Sequence, residues 1–269
     1  MPYLKVNGIR TFYRSVGEGP PVLLIAGNGM EHTTFDEQLA VFSSHFRCIV
    51  YDLRGIGASD TPSDGYTTRE MAVDALALLD ALDIQKAHVG GYSLGGAIGQ
   101  EMAISAPHRV ASLSLYSTFD KPDPYLRLRY DLLVKILRES SPEMWSMFSA
   151  FSAFGENYIN SHEAEVRAEI ERRTARWQGP NPPSKIGLEG HYRAILTHDT
   201  ASRLDRIVAP TWIAVGSDDP VTPVAYSKRL HAGIRGSRLD IFPGRPHRIL
   251  NFQAHPFTQQ ALAFLMEHR

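Results

Sequence analysis

Serine, aspartate and histidine stand in this chain at places where loops follow apolar runs, and together they could attack a carbonyl carbon. Ser93 lies in Gly91-Tyr92-Ser93-Leu94-Gly95, with an apolar run before it and a small-residue helical pattern after it. A serine hydroxyl is a poor nucleophile until a base takes its proton, and a histidine oriented by a carboxylate can do that. His247 follows Pro243-Gly244-Arg245-Pro246, and Asp219 sits in Gly216-Ser217-Asp218-Asp219-Pro220 beside a direct competitor, Asp218. The tetrahedral species formed by attack needs two N–H donors for its oxyanion. The amide of Leu94 is one. Gly27-Asn28-Gly29 offers the other, with Asn28 preferred and Gly29 as the fallback.

Glycine at 91 and 95 has a steric basis. A serine on so sharp a strand-to-helix turn is held in a strained conformation, and side chains two positions away would collide with it. An ordinary Gly-rich turn is spelled the same way, so Ser93 carries weight only through its partners. Asn28, Ser93, Asp219 and His247 each follow an apolar run, and the carboxyl ends of strands are where active groups gather in an open α/β sheet. Four other histidines lack such placement. His32, His88 and His191 read as structural or surface residues, and His198-Asp199 as the end of a helix.

The elements that must position these groups are legible in the periodicity. Tyr3 to Val16 alternates with period two around Asn7-Gly8 and predicts an edge hairpin. Val22–Ala26 is a continuous apolar run, as expected for a strand covered on both faces, and Phe46–Tyr51, the run before Ser93, Val110–Tyr116, Thr211–Val215 and Leu239–Phe242 read as further strands of the same sheet. Phe35, Leu39 and Phe42 mark one helix, and Met71, Ala75, Leu78, Leu79 and Leu82 another. Thr67 and Glu70 before the second have the spacing of a capping box. Alternation stops between about Asp120 and Asp205, where four helical patterns and no convincing strand occur. One covers Tyr125–Arg138. A second starts at Ser141-Pro142 and carries Trp145, Phe148 and Phe151. A third, Glu163–Trp177, has the i,i+4 pairs Glu163/Arg167 and Glu169/Arg173 and reads as a solvated charged face. The fourth spans Ile186–Leu196, and a terminal helix covers Pro256–His268. The organisation expected is one α/β core, residues 1–119 and 206–269, with a helical cap inserted at 120–205.

Composition narrows the function. The 269 residues are 43% hydrophobic and 21% charged, enough to bury a large core. A formal net charge of −1 and the lack of any Lys/Arg run argue against a nucleic-acid or anionic-membrane partner. Residues 1–8 lack the basic-then-apolar layout of a signal peptide, and the expected location is cytoplasmic. The single cysteine, Cys48, lies in an apolar run and reads as a buried strand residue.

With these segments in view, the chain resembles the α/β-hydrolase superfamily over essentially its full length. The resemblance rests on Gly91-Tyr92-Ser93-Leu94-Gly95, Asp52-Leu53-Arg54-Gly55-Ile56-Gly57-Ala58-Ser59, Gly216-Ser217-Asp218-Asp219-Pro220 and Gly244-Arg245-Pro246-His247. Within the superfamily it is most similar to the small esterase and lactonase branch, which includes 3-oxoadipate enol-lactonases and the aminoacrylate hydrolases of pyrimidine breakdown. The resemblance implies an eight-stranded, mostly parallel sheet with a helical cap, no cofactor and no metal. It also implies the chain order Ser93…Asp219…His247, with the acid three residues after Gly216 and just before the turn proline. Two departures stand out. Ala26-Gly27 replaces the usual His-Gly before the oxyanion residue, so the hole is expected to keep its backbone with different support. Arg245-Pro246-His247 replaces the frequent Gly-His.

The activity expected is hydrolysis of a small carboxylic ester or lactone, by a monomer or homodimer. Alternatives on the same three residues are a cofactor-free haloperoxidase or perhydrolase, a C–C bond hydrolase and an acyltransferase; a ligand receptor on a hydrolase scaffold is a third class. Trp145, Phe148 and Phe151, with Tyr125, are the substrate-binding candidates, forming an apolar wall over Ser93. Arg127, Arg129 and Arg138 read first as solvated surface residues, with recognition of a substrate carboxylate as the alternative.

Overall fold

The computed structural model describes residues 3–250 and 256–269. Eight strands form one sheet: β1 (Tyr3–Val6), β2 (Ile9–Val16), β3 (Pro21–Ile25), β4 (Arg47–Tyr51), β5 (Ala87–Tyr92), β6 (Val110–Tyr116), β7 (Thr211–Gly216) and β8 (Arg238–Phe242). Their order is β1-β2-β4-β3-β5-β6-β7-β8. The hairpin β1/β2 and the β2/β4 pair are antiparallel, and all later pairs are parallel.

Strand periodicity divides the core in two. Leu23, Ile25, Ile49, Val89, Leu113 and Ile213 join the cluster on one face, while Val22, Leu24, Cys48, Val50, Trp212 and Ala214 join that on the other. Burying an aliphatic side chain of this kind contributes about 1.5–3 kcal/mol. Runs apolar at every position therefore need helices on both sides. α2 (Thr68–Ala81), α3 (Leu94–Ser105) and α9 (Val224–Gly233) contribute Leu78, Ile98 and Leu230 to the first cluster, and α1 (Asp36–Phe42) and α10 (Phe257–Glu267) contribute Leu39 and Phe264 to the second. Cys48 is fully buried, and burial pushes its thiol up to about 12, as suits a packing residue. The expected capping box is only half formed. Thr67 Oγ1 accepts from Glu70 N at 3.1 Å, but the Glu70 carboxylate turns away to accept from Asn7 Nδ2 at 2.9 Å.

Between β6 and β7 the chain runs through five helices: α4 (Pro124–Glu139), α5 (Pro142–Phe154), α6 (Glu156–Ser161), α7 (Glu163–Gln178) and α8 (Lys185–Thr197). Asp123, Ser141 and Ser184 cap α4, α5 and α8 by accepting from the backbone N–H three residues on. The short α6 and the core helix α9 have no counterpart in the periodicity. Among the described residues, no helix is long and apolar enough to cross a membrane.

Candidate active site

Ser93 sits between β5 and α3 with φ 55° and ψ −115°, a conformation costly for any residue with a Cβ. Its surroundings enforce that conformation. A Cβ on Gly91 would stand 2.3 Å from the Gly95 carbonyl oxygen, and one on Gly95 would stand 2.0 Å from that of Ile25. Both distances are far inside van der Waals contact, so neither glycine can be replaced without moving the turn. The Ser93 carbonyl accepts from Thr118 Oγ1 at 2.7 Å, and its N–H donates to the Tyr116 carbonyl at 2.9 Å.

His247 and Asp219 arrive from beyond the ends of β8 and β7. His247 Nε2 lies 3.2 Å from Ser93 Oγ, and its Nδ1 lies 2.9 Å and 3.0 Å from the two Asp219 oxygens. A ring nitrogen facing a carboxylate carries the proton, which leaves Nε2 free to accept from serine. Asp219 is fully enclosed. Burial alone would push its carboxyl up, but the charge and hydrogen bond of His247, with bonds from Thr222, hold it below the usual carboxylate range. Its Oδ1 accepts from Val221 N and Thr222 N, both at 2.8 Å, and its Oδ2 from Thr222 Oγ1 at 2.8 Å. Asp218 points elsewhere, accepting from Ser217 Oγ at 2.6 Å and from Asn157 Nδ2 at 2.8 Å. The His247 loop is braced as well: Tyr92 Oη donates to the His247 carbonyl at 3.1 Å, and His247 N to the Ala153 carbonyl at 3.3 Å.

Among the described residues the amides of Leu94, next to Ser93, and of Asn28, on the same cavity, meet no acceptor, whereas Gly29 N donates to His191 Nδ1 at 3.2 Å. The fallback donor is thus already engaged. His191 comes from α8, is fully buried, and donates from Nε2 to the Arg54 carbonyl at 2.9 Å. Burial pushes its pKa down to about 4, so it stays neutral in this tautomer. Asn28 Nδ2 donates to Tyr130 Oη at 3.0 Å. These contacts support the loop where Ala26 stands in place of the expected histidine. The Asp52–Ser59 segment is scaffold: Asp52 Oδ1 accepts from His32 N and Nδ1, and Arg54 makes a fork to Asp74 at 2.7 Å and 2.6 Å.

Above Ser93 is a cavity of about 290 Å³, walled by α4, α5, α7 and the Asn28 loop. Of the four substrate-binding candidates only Trp145 lines it; Phe148, Phe151 and Tyr125 do not. Helical geometry supplies the reason. On α5, Trp145, Ser149 and Ser152 share the cavity side, while Met144, Met147, Phe148 and Phe151 open onto a separate groove of about 620 Å³. Tyr125 is half-exposed and donates its hydroxyl to the Pro220 carbonyl. Trp145 contributes to an apolar part of the wall with Leu133, Trp177 and Leu188, and charge is interleaved with it. Arg129, Arg173, Arg176 and Arg248 line the cavity with Glu31 and Glu169. Arg127 and Arg138 lie outside it, the latter paired with Glu189 on the surface. Glu163 and Arg167 do form an exposed pair, but Glu169 and Arg173, six residues on, do not belong to a solvated face. Burial alone would raise the Glu169 pKa, yet Arg248 and Arg173 hold it down at about 2.

The chain matches the family described as the α/β-hydrolase fold over residues 20–252. It is an α/β-hydrolase. Proteins named carbamate hydrolase RutD are among its relatives: one from Variovorax paradoxus is 31% identical across 92% of both chains, and one from Azorhizobium caulinodans is 28% identical across 99% of both. An enol-lactonase structure from Burkholderia xenovorans superposes with a TM-score of 0.87 at 25% identity, over 98% of this chain and all of that one. A hydrolase structure from Pseudomonas aeruginosa has a TM-score of 0.86 at 29% identity, covering 98% of this chain and 97% of that one.

In this α/β-hydrolase several residues around Ser93 escaped sequence reasoning. Tyr130, Arg173 and Trp177 sit in helical stripes that look like any packed or solvated face. Thr222 had a weak signal, as a hydroxyl three residues after a strand-end aspartate. Among the described residues no group of three or more His, Cys, Asp or Glu side chains could hold a metal ion.

Proposed function

We propose that this protein is a serine hydrolase cleaving a carboxylic ester or lactone of a small molecule through an acyl-enzyme. The observation that carries the reading is the relay from Ser93 Oγ through His247 to Asp219, with links of 3.2 Å and 2.9 Å, beside the unengaged Leu94 and Asn28 amides. Ser93 Oγ attacks the carbonyl carbon as His247 Nε2 takes its proton. The Leu94 and Asn28 amides receive the oxyanion, a contribution typically of about 10²–10³ in rate per donor. Collapse expels the alcohol, which leaves with the proton from Nε2. Water then attacks the acyl carbon, its proton passes to His247, and the acid departs as the proton returns to Ser93. Asp219 stays ionised and fixes the imidazole throughout.

The five inserted helices, within residues 120–205, serve in this reading as the cap that encloses the reacting group. A cavity of about 290 Å³, at the lower limit for ligand sites, suits a compact substrate. A second reading, hydrolysis of a carbamate, is supported by the names of the relatives from Variovorax and Azorhizobium. The carbonyl carbon would be attacked in the same way, with nitrogen departing. Product release from a panel of esters, lactones and carbamates, with wild type and Ser93→Ala in parallel, separates these readings. Turnover of the oxygen esters that vanishes in Ser93→Ala supports the first. Turnover of carbamates alone supports the second, and turnover of neither class above the Ser93→Ala background defeats both.

A further inference from the structure

An oxyanion donor is effective only when it is aimed at the place where charge develops. Of the two donors in the hydrolase reading, Leu94 N–H is fixed by the strained turn at Ser93 itself. Asn28 stands instead in a short loop between two glycines, where the backbone has little stiffness of its own. Met30 N donates to the Gly27 carbonyl at 3.2 Å and closes a turn across Asn28. Ala26 supplies no polar side chain to hold that turn in place.

The side chains that do hold it come from the inserted helices. The Tyr130 hydroxyl, on α4, accepts from Asn28 Nδ2 at 3.0 Å, and His191, on α8, accepts from Gly29 N at 3.2 Å. Leu188, three residues before His191, lies against Gly29, and Arg176 of α7 pairs with Glu31. At His32 the core takes over, through the bonds of its N and Nδ1 to Asp52. Tyr130 is itself well held. It is buried, and its ring centre lies 5.4 Å from that of Tyr192 on α8, whose hydroxyl accepts from Trp145 Nε1 of α5 at 3.3 Å. A phenol both donates and accepts, so the bond to Asn28 stands for either orientation of the side-chain amide.

We propose that Tyr130 is a positioning residue: through the Asn28 side chain, and with His191 at Gly29, it sets the Asn28 N–H as an oxyanion donor. The inference rests on the hydrolase reading above and extends it. The oxyanion hole becomes a joint product of the core and the inserted helices, complete only while those helices are seated. A displaced α4 would release Asn28 and leave the relay from Ser93 to Asp219 intact but one donor short.

The test separates the hydroxyl from its tether. Tyr130→Phe removes the hydroxyl and keeps the ring, and Asn28→Ala removes the side-chain amide and keeps the backbone N–H. With p-nitrophenyl butyrate each is expected to lower kcat about 10- to 100-fold with KM within threefold. The double variant should stay within threefold of either single one, because both changes cut the same bond. The Ki of an alkyl trifluoromethyl ketone, whose adduct on Ser93 places an oxyanion in the hole, should rise by the factor that kcat falls. A loss of packing alone would not single out that adduct. A further measurement needs no turnover: hydrogen exchange, read by peptide mass, should be at least tenfold faster over residues 27–34 in Tyr130→Phe and unchanged over residues 90–100. Losses that multiply in the double variant would mean that Tyr130 touches the substrate itself, and would overturn the proposal. Unchanged kcat or unchanged loop exchange in Tyr130→Phe would overturn it as well. If wild type turns over neither this ester nor the panel above while loop exchange still rises, the hydrolase reading fails and Tyr130 keeps its hold on the loop.

Discussion

The strand ends and the inserted helices meet at one cavity but are built on different terms. At the strand ends each group is over-determined: Ser93 by glycines that admit no Cβ, Asp219 by three donors from Val221 and Thr222 besides His247. The helices contribute single faces, and the same sequence pattern can mean opposite things. Glu163/Arg167 and Glu169/Arg173 have the same spacing on α7, yet the first pair is solvated and the second reaches Arg248 beside His247. A strand-end group is specified by its own turn. A helix residue is specified only by what its helix packs against.

If that contrast is right, substitutions at the strand ends should cost far more activity than those in the helices. Ser93→Ala is expected to lower kcat by about 10⁶-fold, since members of such a relay act as a unit; circular dichroism should show the fold retained. Asp219→Asn is expected to cost roughly 10⁴-fold, the loss seen when the equivalent serine-protease aspartate becomes an amide. Asp218→Asn, with its carboxylate turned towards Ser217 and Asn157, should cost tenfold or less in the same assay.

His191 crosses the boundary between the two regions and should give an intermediate result. Its hydrogen bond to Gly29 N sets the position of the neighbouring Asn28 amide. His191→Asn is expected to lower kcat by about 10²-fold, the scale of an ångström-sized misplacement, with KM within threefold. An equal loss in KM would place His191 with substrate binding instead. On α5 the two faces should separate cleanly. Trp145→Ala is expected to raise KM about three- to tenfold, while Phe151→Ala, two-thirds exposed and outside the cavity, should leave steady-state kinetics alone.

The smallest effect is on stability. Glu169 has a folded pKa of about 2 against an ordinary 4.5, lowered by Arg248 and Arg173. A depressed carboxylate stabilises the fold fully above its unfolded pKa and loses that contribution as pH falls through the folded value. The gap in Tm between wild type and Glu169→Gln should be constant above about pH 5, shrink below pH 4.5 and disappear near pH 2. A gap that persists unchanged at pH 2 would assign the effect of Glu169→Gln to packing.

How much of this could be read without coordinates follows the same division. The parallel strands were legible because runs such as Val22–Ile25 and Ile213–Val215 are apolar at every position, which only a sheet covered on both faces can use. The proximity of Ser93, Asp219 and His247 was legible because strand ends converge on one edge of such a sheet. The walls were not. The aromatic stripe of α5 names a buried face without saying which neighbour buries it, and Phe148 and Phe151 went to the surface groove while Ser149 and Ser152 took the cavity. Arg129 and Arg127 differ by half a helical turn, and nothing local separates them. The His-Gly departure at Ala26 pointed to altered support, but its source, His191, lies 165 positions away on α8.

The central claim is that Ser93 is a nucleophile made reactive by His247 and Asp219. The most direct measurement is reaction with a fluorophosphonate, followed by intact-mass titration and peptide mapping, on wild type and Asp219→Asn. One equivalent of adduct on Ser93 is predicted, formed at least a hundredfold more slowly in Asp219→Asn. Stoichiometric labelling of any other residue, or equal rates in the two proteins, would contradict it.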